Sequence, residues 1–296
     1  MTPLRTALLM AVGVVAVSLS GPLMAAMVVP PLAISLWRNA AATALLTPAV
    51  VSGRREELHA VRGRTLWLVL ASGVALAIHF ATWVTALTLT SVASATALVC
   101  LQIAWVASWE LVRGERFRPL VVVGLAIAFA GVLVVSGLDL TLSPRALVGD
   151  LLALVGGVAA AAYMLLGSQA RQALSTTTYT FVVYGTCSGL LLVASLAGSQ
   201  QLVGYPARQW GLLLLVTLTS QLLGHSTFNH LLATTSTMLV SLVLLLEVPG
   251  ASLIAAAFLG QVPSVAAVVG LAVILLGTAV VVVAGRGPAI RAAPLD

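Results

Sequence analysis

The sequence predicts an all-α membrane protein of ten transmembrane helices, built from two inverted five-helix repeats. Three observations carry this. The first is composition: of 296 residues, 60% are hydrophobic and 7% charged, against about 25% charged in soluble domains. A soluble globule is excluded. The second is an internal repeat. A shift of 146 positions puts His79 on His225, Thr88 on Thr234, Gly114 on Gly260, Gly124 on Gly270 and Gly131 on Gly277, without a gap. From 121 to 137, 8 of 17 positions recur identically. Upstream, Gly21 falls on Gly167 and Arg38 on Tyr184. Such a repeat fixes the architecture before any local reading. The third is the placement of arginine, taken up below.

A membrane helix needs about 20 mostly apolar residues. Ten stretches qualify, roughly 5–25, 31–51, 66–88, 91–112, 119–138, 147–168, 177–197, 210–231, 236–257 and 264–284. The first also has the outline of a signal peptide: Arg5, an apolar run, then Ala25 and Ala26. Its length favours a helix, and the repeat requires it as counterpart of the helix after Asp150. Pro30 and Pro31 open the second span, where a missing N–H costs nothing. Thr90 and Ser91 can cap the fourth, Ser236 and Thr237 the ninth, at repeat-paired positions. Gly124 and Gly131 lie two turns apart on one face of the fifth, as do Gly270 and Gly277 on the tenth. Small residues so spaced let backbones approach closely. They mark either packing of each last helix against its twin or the surface of a homodimer. The expected units are 1–142, the first repeat; 143–285, the second; and 286–296, a short cytoplasmic tail.

All 14 cationic side chains are arginine; 8 are acidic, for a net charge of +6. The arginines lie in short loops, which points to membrane topology and away from nucleic acid. With the N-terminus inside, Arg5, Arg54, Arg55, Arg62, Arg64, Arg113, Arg116, Arg118, Arg171, Arg286 and Arg291 are cytoplasmic. Only Arg145 and Arg208 are outside, and Arg38 is within a span. Eleven against two is a clear positive-inside bias. Both termini are then cytoplasmic, in the inner cell membrane. Five spans per repeat end on the opposite side from their start, so the second repeat enters inverted. That plan recurs in secondary transporters, with the site near the midplane between repeats.

Polar residues inside spans are rare and usually face a cavity or a partner. Residues four apart share a helix face. Gln221, His225 and Asn229 make one polar stripe on the eighth span. His79 and Trp83 take the matching places on the third. Gln102, Trp105 and Trp109 line up on the fourth, and Glu247 stands near the middle of the ninth before Pro249 and Gly250. Arg38 lies about 10 Å in from the outer end of the second, at 1.5 Å per residue. Each has a duller reading. Trp109 also fits an interfacial anchor. His79, His225 and Gln102 also fit interhelical hydrogen bonding, and Arg38 fits outward snorkelling. Glu110 and Glu115, beside Arg113, Arg116 and Arg118, read as interfacial ion pairs. Glu247 is hardest to explain so: a lone carboxylate there costs several kcal/mol unless paired, hydrated or protonated. Cys100 and Cys187 sit in apolar runs and read as free buried thiols, without metal or disulfide spacing.

The stretch HFATWVTALTLTSVASATALVCLQIAWVASWELVRGERFRPLVVVGLAIAFAGVLVV resembles the repeat of the drug/metabolite transporter superfamily, EamA type. So does LEVPGASLIAAAFLGQVPSVAAVVGLAVILLGTAVVV. The resemblance covers almost the whole chain. The family often has Pro where Gln102 stands; here Val248 separates Glu247 from Pro249, and the second Gly-Glu turn reads Gly260-Gln261. The resemblance implies ten spans and a transporter, many members exporting amino acids and derivatives, nucleotide sugars, sugar phosphates or cationic drugs.

The expected function is a secondary active transporter that exports a small metabolite, an amino acid or derivative, by alternating access. The expected solute site is Arg38, His79, Trp83, Gln102, Trp105, Tyr163, Tyr184, Gln221, His225, Asn229 and Glu247. Aromatic walls with few charges suit a modest zwitterion better than a polyanion. Arg38 would receive a carboxylate; Glu247 would take an amine or exchange a proton. The chain has no Lys and so no phosphate-binding Gly-rich loop with Lys; ATP-driven transport by this chain alone is disfavoured. The expected partners are the solute and the lipid bilayer, with no nucleic acid and no cofactor. The alternative is efflux of lipophilic cations, which aromatic faces and a membrane carboxylate also suit. An intramembrane enzyme using His79, His225 and Glu247 lacks His-Glu-x-x-His spacing. A scaffold without transport would gain little from mid-span polar groups.

Overall fold

The computed structural model describes residues 2–137 and 143–285. Arg286, Arg291 and the expected tail lie outside them. Regular structure among the described residues is helical throughout. The ten sequence stretches are ten helical spans, several of them broken. They are α1 (Pro3–Ser18 and Ser20–Ala25), α2 (Pro31–Gly53), α3 (Gly63–Ala86), α4 (Val92–Val99 and Gln102–Val112) and α5 (Pro119–Gly137). The second set is α6 (Pro144–Ala170), α7 (Thr176–Ala197), α8 (Ala207–Val216, a π-helix Thr217–His225, and Ser226–Leu231), α9 (Thr237–Leu244 and Glu247–Leu259) and α10 (Val265–Gly285). Eight are long and apolar enough to cross a membrane. Of the other two, α5 has a shorter apolar stretch, Pro119–Val135, and the apolar run of α2 is interrupted by Arg38 and Asn39.

Local chemistry sets the helix ends. Pro31 begins α2 with Pro30 before it. Thr90-Ser91 and Ser236-Thr237 are the repeat-paired cap sites; the hydroxyls of Ser91 and Ser236 accept from Ser94 N and Leu239 N, so serine caps open α4 and α9 one residue out of the repeat register. Gly114 and Gly260, also repeat partners, follow those helices with φ of 89° and 65°. Left-handed backbone there favours glycine.

The repeats are related by an inverted twofold arrangement. Adding or subtracting five helices maps the packing pairs onto one another. Contacts of α3 with α6 and α7 match those of α8 with α1 and α2; α4 on α6 matches α9 on α1. The pairs α2–α7, α4–α9 and α5–α10 map onto themselves. The glycines show the direction. A Cβ at Gly124 would meet the Gly277 carbonyl oxygen at 2.9 Å, and one at Gly131 would meet that of Gly270 at 2.7 Å. Low numbers face high ones, so α5 and α10 are antiparallel. Between the two readings of these glycines, packing against the twin is the one observed.

Candidate functional site

Both repeats break their fourth helix near its middle. In α4 the break is at Cys100 and Leu101, where Leu101 N bonds Leu98 O at 3.2 Å and Ala104 N bonds Leu101 O at 2.8 Å. In α9 it is at Leu245 and Leu246, where Leu246 N bonds Val243 O at 3.0 Å and Val248 N bonds Leu245 O at 3.2 Å. These are i→i+3 bonds that tighten and misalign the helix. Pro249 lacks an N–H and helps break α9; α4 breaks at the matching place without a proline. The breaks touch: Cys100 Sγ donates to Leu244 O at 3.5 Å. Glu247 begins the second half of α9, and Gln102 that of α4.

Beside the breaks lies a narrow cavity of about 50 Å³ between α1, α3, α4, α6, α8 and α9. About 10–15 Å³ admits one water, so it has room for a few waters and none for a drug-sized solute. Three repeat-related pairs line it: Val17 with Tyr163, His79 with His225, and Trp83 with Asn229. Gln102 and Glu247 add to the wall, as do Cys100, Met164 and Phe228. His79 Nδ1 lies 3.0 Å from Gly156 O, and its ring stacks on Trp83 at 5.5 Å. The Tyr163 hydroxyl donates to Asn229 Oδ1 at 2.6 Å. The buried Trp83 indole N–H has no hydrogen-bond partner. Glu247 is buried, 8% exposed.

Four expected site residues are placed elsewhere. Arg38, Gln221 and Tyr184 form a layer behind the cavity. The Arg38 guanidinium donates to Gln221 Oε1 at 2.8 Å and Ser20 Oγ at 3.1 Å, and lies 4.2 Å over the Phe80 ring. Phe80 itself packs on His225, so Arg38 does not face the cavity. It is fully buried, makes no ion pair among the described residues, and leaves Nη2 without a partner. Tyr184 bonds Ser226 and accepts from Asn229 Nδ2 at 3.4 Å. The expected stripe on α8 splits because the π-helix, with its wider turn, ends at His225. Gln221 turns to Arg38 and Asn39, while His225 and Asn229 turn inward.

Trp105 is 47% exposed. The buried face of this half of α4 is Gln102, Ile103, Val106 and Ala107. Gln102 is at one edge of it, and three residues on, at about 100° per residue, Trp105 falls beyond that edge. The expected interfacial ion pairs are also absent among the described residues; Glu110 accepts from the Met238 N–H instead. No group of three or more His, Cys, Asp or Glu among them is arranged to hold a metal.

Paired helix breaks beside a central cavity that both halves of an inverted repeat build are the features of the site. The family model of the EamA-like transporters matches residues 4–137 and again 147–283. The chain belongs to that family, within the drug/metabolite transporter superfamily. None of the curated proteins matches it. A solved structure titled "Crystal structure of protein" is similar, at 18% identity over 96% of this chain and 99% of that one, with a TM-score of 0.74. That likeness is one of fold.

Proposed function

We infer that this protein is a secondary active transporter of the cell membrane that exports a small metabolite, an amino acid or a derivative. It works by alternating access between the repeats 1–142 and 143–285, with both termini cytoplasmic. The observation that carries this reading is Glu247: a single carboxyl, placed at a helix break, on the wall of a cavity that both repeats build. Helix breaks at the repeat interface are where secondary transporters hold solute and coupling ion. The site is His79, Trp83, Gln102, Tyr163, His225, Asn229 and Glu247, and the Trp83 N–H is a ready donor to a solute oxygen. Arg38 contributes positive charge from behind Phe80. The cavity must widen to take a solute, so a change of shape is part of the cycle.

Glu247 exchanges a proton or holds the solute's amine. Glu247→Gln keeps the shape and removes the titration. Uptake into inverted vesicles under a pH gradient should be lost, with downhill exchange retained. Wild-type accumulation by the Gln variant would remove Glu247 from the mechanism. The second reading, efflux of lipophilic cations, is favoured by a groove of about 1160 Å³ along α1, α9 and α10. Its walls are apolar apart from Glu110 and a few hydroxyls near Ser236. Saturable export of a quaternary ammonium dye, competed by no amino acid, would decide for it.

A further inference from the structure

A second hollow of about 500 Å³ opens between α4, α6 and α9 at the end of the molecule that carries Arg113 and Gln169. This vestibule and the central cavity share the same three helices. On each helix a stripe with helical spacing leads from one to the other. On α4 it is Gln102, Val106, Glu110; on α6, Ala160, Met164, Ser168; on α9, Leu244, Ser241, Thr237. The first of each set lines the cavity and the last lines the vestibule. The middle residues are buried: Val106 at 0%, Ser241 at 0% and Met164 at 4% exposure. Met164 also borders the cavity, and the Ser241 hydroxyl donates to its Sδ at 3.6 Å. Four residues of helix rise about 6 Å, so a single side-chain layer separates the two spaces.

We propose that Met164, steadied by Ser241, is the plug between vestibule and cavity and the residue that limits the girth of the solute that passes. The side chain suits the task. Methionine is unbranched with three rotatable bonds, so it can swing aside while α6 stays in place. Its sulfur is a weak acceptor, so the contact holding it is easily released. The vestibule beyond carries Glu110, Glu115 and Arg113. Carboxylates and a guanidinium at one mouth favour a solute bearing both signs, which deepens the zwitterion reading above and rests on it. The plug itself rests on geometry alone.

The native cysteines supply the test. In a Cys187→Ser background Cys100 is the one cysteine left, and it lines the cavity. Thiols react as thiolates, so attack on Cys100 by a small charged methanethiosulfonate needs an open, wet path. Right-side-out and inverted vesicles are labelled in turn, and a separate Arg55→Cys protein lacking both native cysteines marks the vestibule side. Met164→Ala removes most of the plug and should speed Cys100 labelling about tenfold from the side where Arg55→Cys reacts, leaving the other side unchanged. Ser241→Ala, a milder change for use if the first variant fails to insert, should speed it less and from the same side. Unchanged labelling in a folded Met164→Ala or Ser241→Ala protein overturns the plug. An equal rise from both sides, the sign of general loosening, overturns it too. A rise on the Arg55 side with that side proving extracellular supports the plug and overturns the proposed orientation. Loss of pH-driven transport plays no part in this readout, so the transport reading and the plug fail separately.

Discussion

His79 and His225 approach each other across the central cavity, ring centroids 6.5 Å apart, from positions 146 residues apart in the chain. The repeat brings them together, but their surroundings differ. His79 is bonded to the Gly156 carbonyl and stacked on Trp83, whereas His225 sits among Phe80 and Tyr163. His79→Phe removes this side-chain bond to the Gly156 carbonyl, which keeps its place in the α6 helix, and should cost about 0.5–1.5 kcal/mol, seen as a lower melting temperature in detergent. His225→Phe keeps the ring packing and should melt near wild type while transport falls. The opposite ranking in melting temperature would reverse these roles.

The glycine contact between α5 and α10 predicts a sharp positional effect. Gly131→Ala and Gly270→Ala place a methyl within 2.7–2.8 Å of a facing carbonyl oxygen. Overpacking of this kind costs about 1–3 kcal/mol. Gly189→Ala and Gly211→Ala meet nothing within 4 Å and should be neutral or mildly stabilising. Melting curves of the four variants compare them directly, and equal losses would mean the helices are not in contact there.

Topology is open to direct measurement. In a background lacking Cys100 and Cys187, a cysteine at Ser143 should react with an impermeant reagent outside intact cells. One at Arg55 should react only after permeabilisation. The reverse pattern would place the vestibule outside.

Acid stability should depend on Glu57. Its short helix, Arg55–His59, lies between α2 and α3. The carboxylate accepts from the backbone N–H of Ser175 and, at 2.8 Å, from its hydroxyl. Ser175 caps α7. Partial burial alone would push the carboxyl up; the bonds from Ser175 and Thr178 and the nearby Arg54 outweigh it, and the group is held below its ordinary 4.5. A carboxyl lowered by folding stabilises fully above its unfolded value, and that stabilisation is lost as pH falls through the folded one. Melting temperature should therefore drop below about pH 4.5, and Glu57→Gln should flatten that drop while lowering the neutral-pH value. Parallel wild-type and Gln curves would leave Glu57 without a role.

The fold was largely legible because its signals are one-dimensional. Apolar length marks spans, serine before a span marks a cap, and the spacing of Gly124, Gly131, Gly270 and Gly277 announces a close helix contact, though not whether it is with the twin helix or with a second copy. The cavity was legible where repeat position decides it, as for His79, His225, Trp83 and Asn229. It was not legible where local geometry departs from an ideal helix. The π-helix rotates Gln221 away from His225, and a four-residue rule cannot foresee it. Facing directions also misled: Trp105 is on the exposed edge of α4, and Arg38 is screened by Phe80, an ordinary apolar residue in the sequence. Met164, Phe228 and Cys100 carried no polar signal that would have marked them as cavity wall.

The α5–α10 contact is self-complementary: each helix offers the other the same two glycines. That is the geometry of an isologous dimer interface, here enclosed within one polypeptide. A lone five-helix module could make this contact only with a copy inserted in the opposite orientation. Joining the copies covalently fixes their stoichiometry and their opposed orientation at once. It also frees each copy to diverge, and Glu247 opposite Leu101 is what that freedom permits: an acid on one side of the axis, which no symmetric dimer of identical modules could possess.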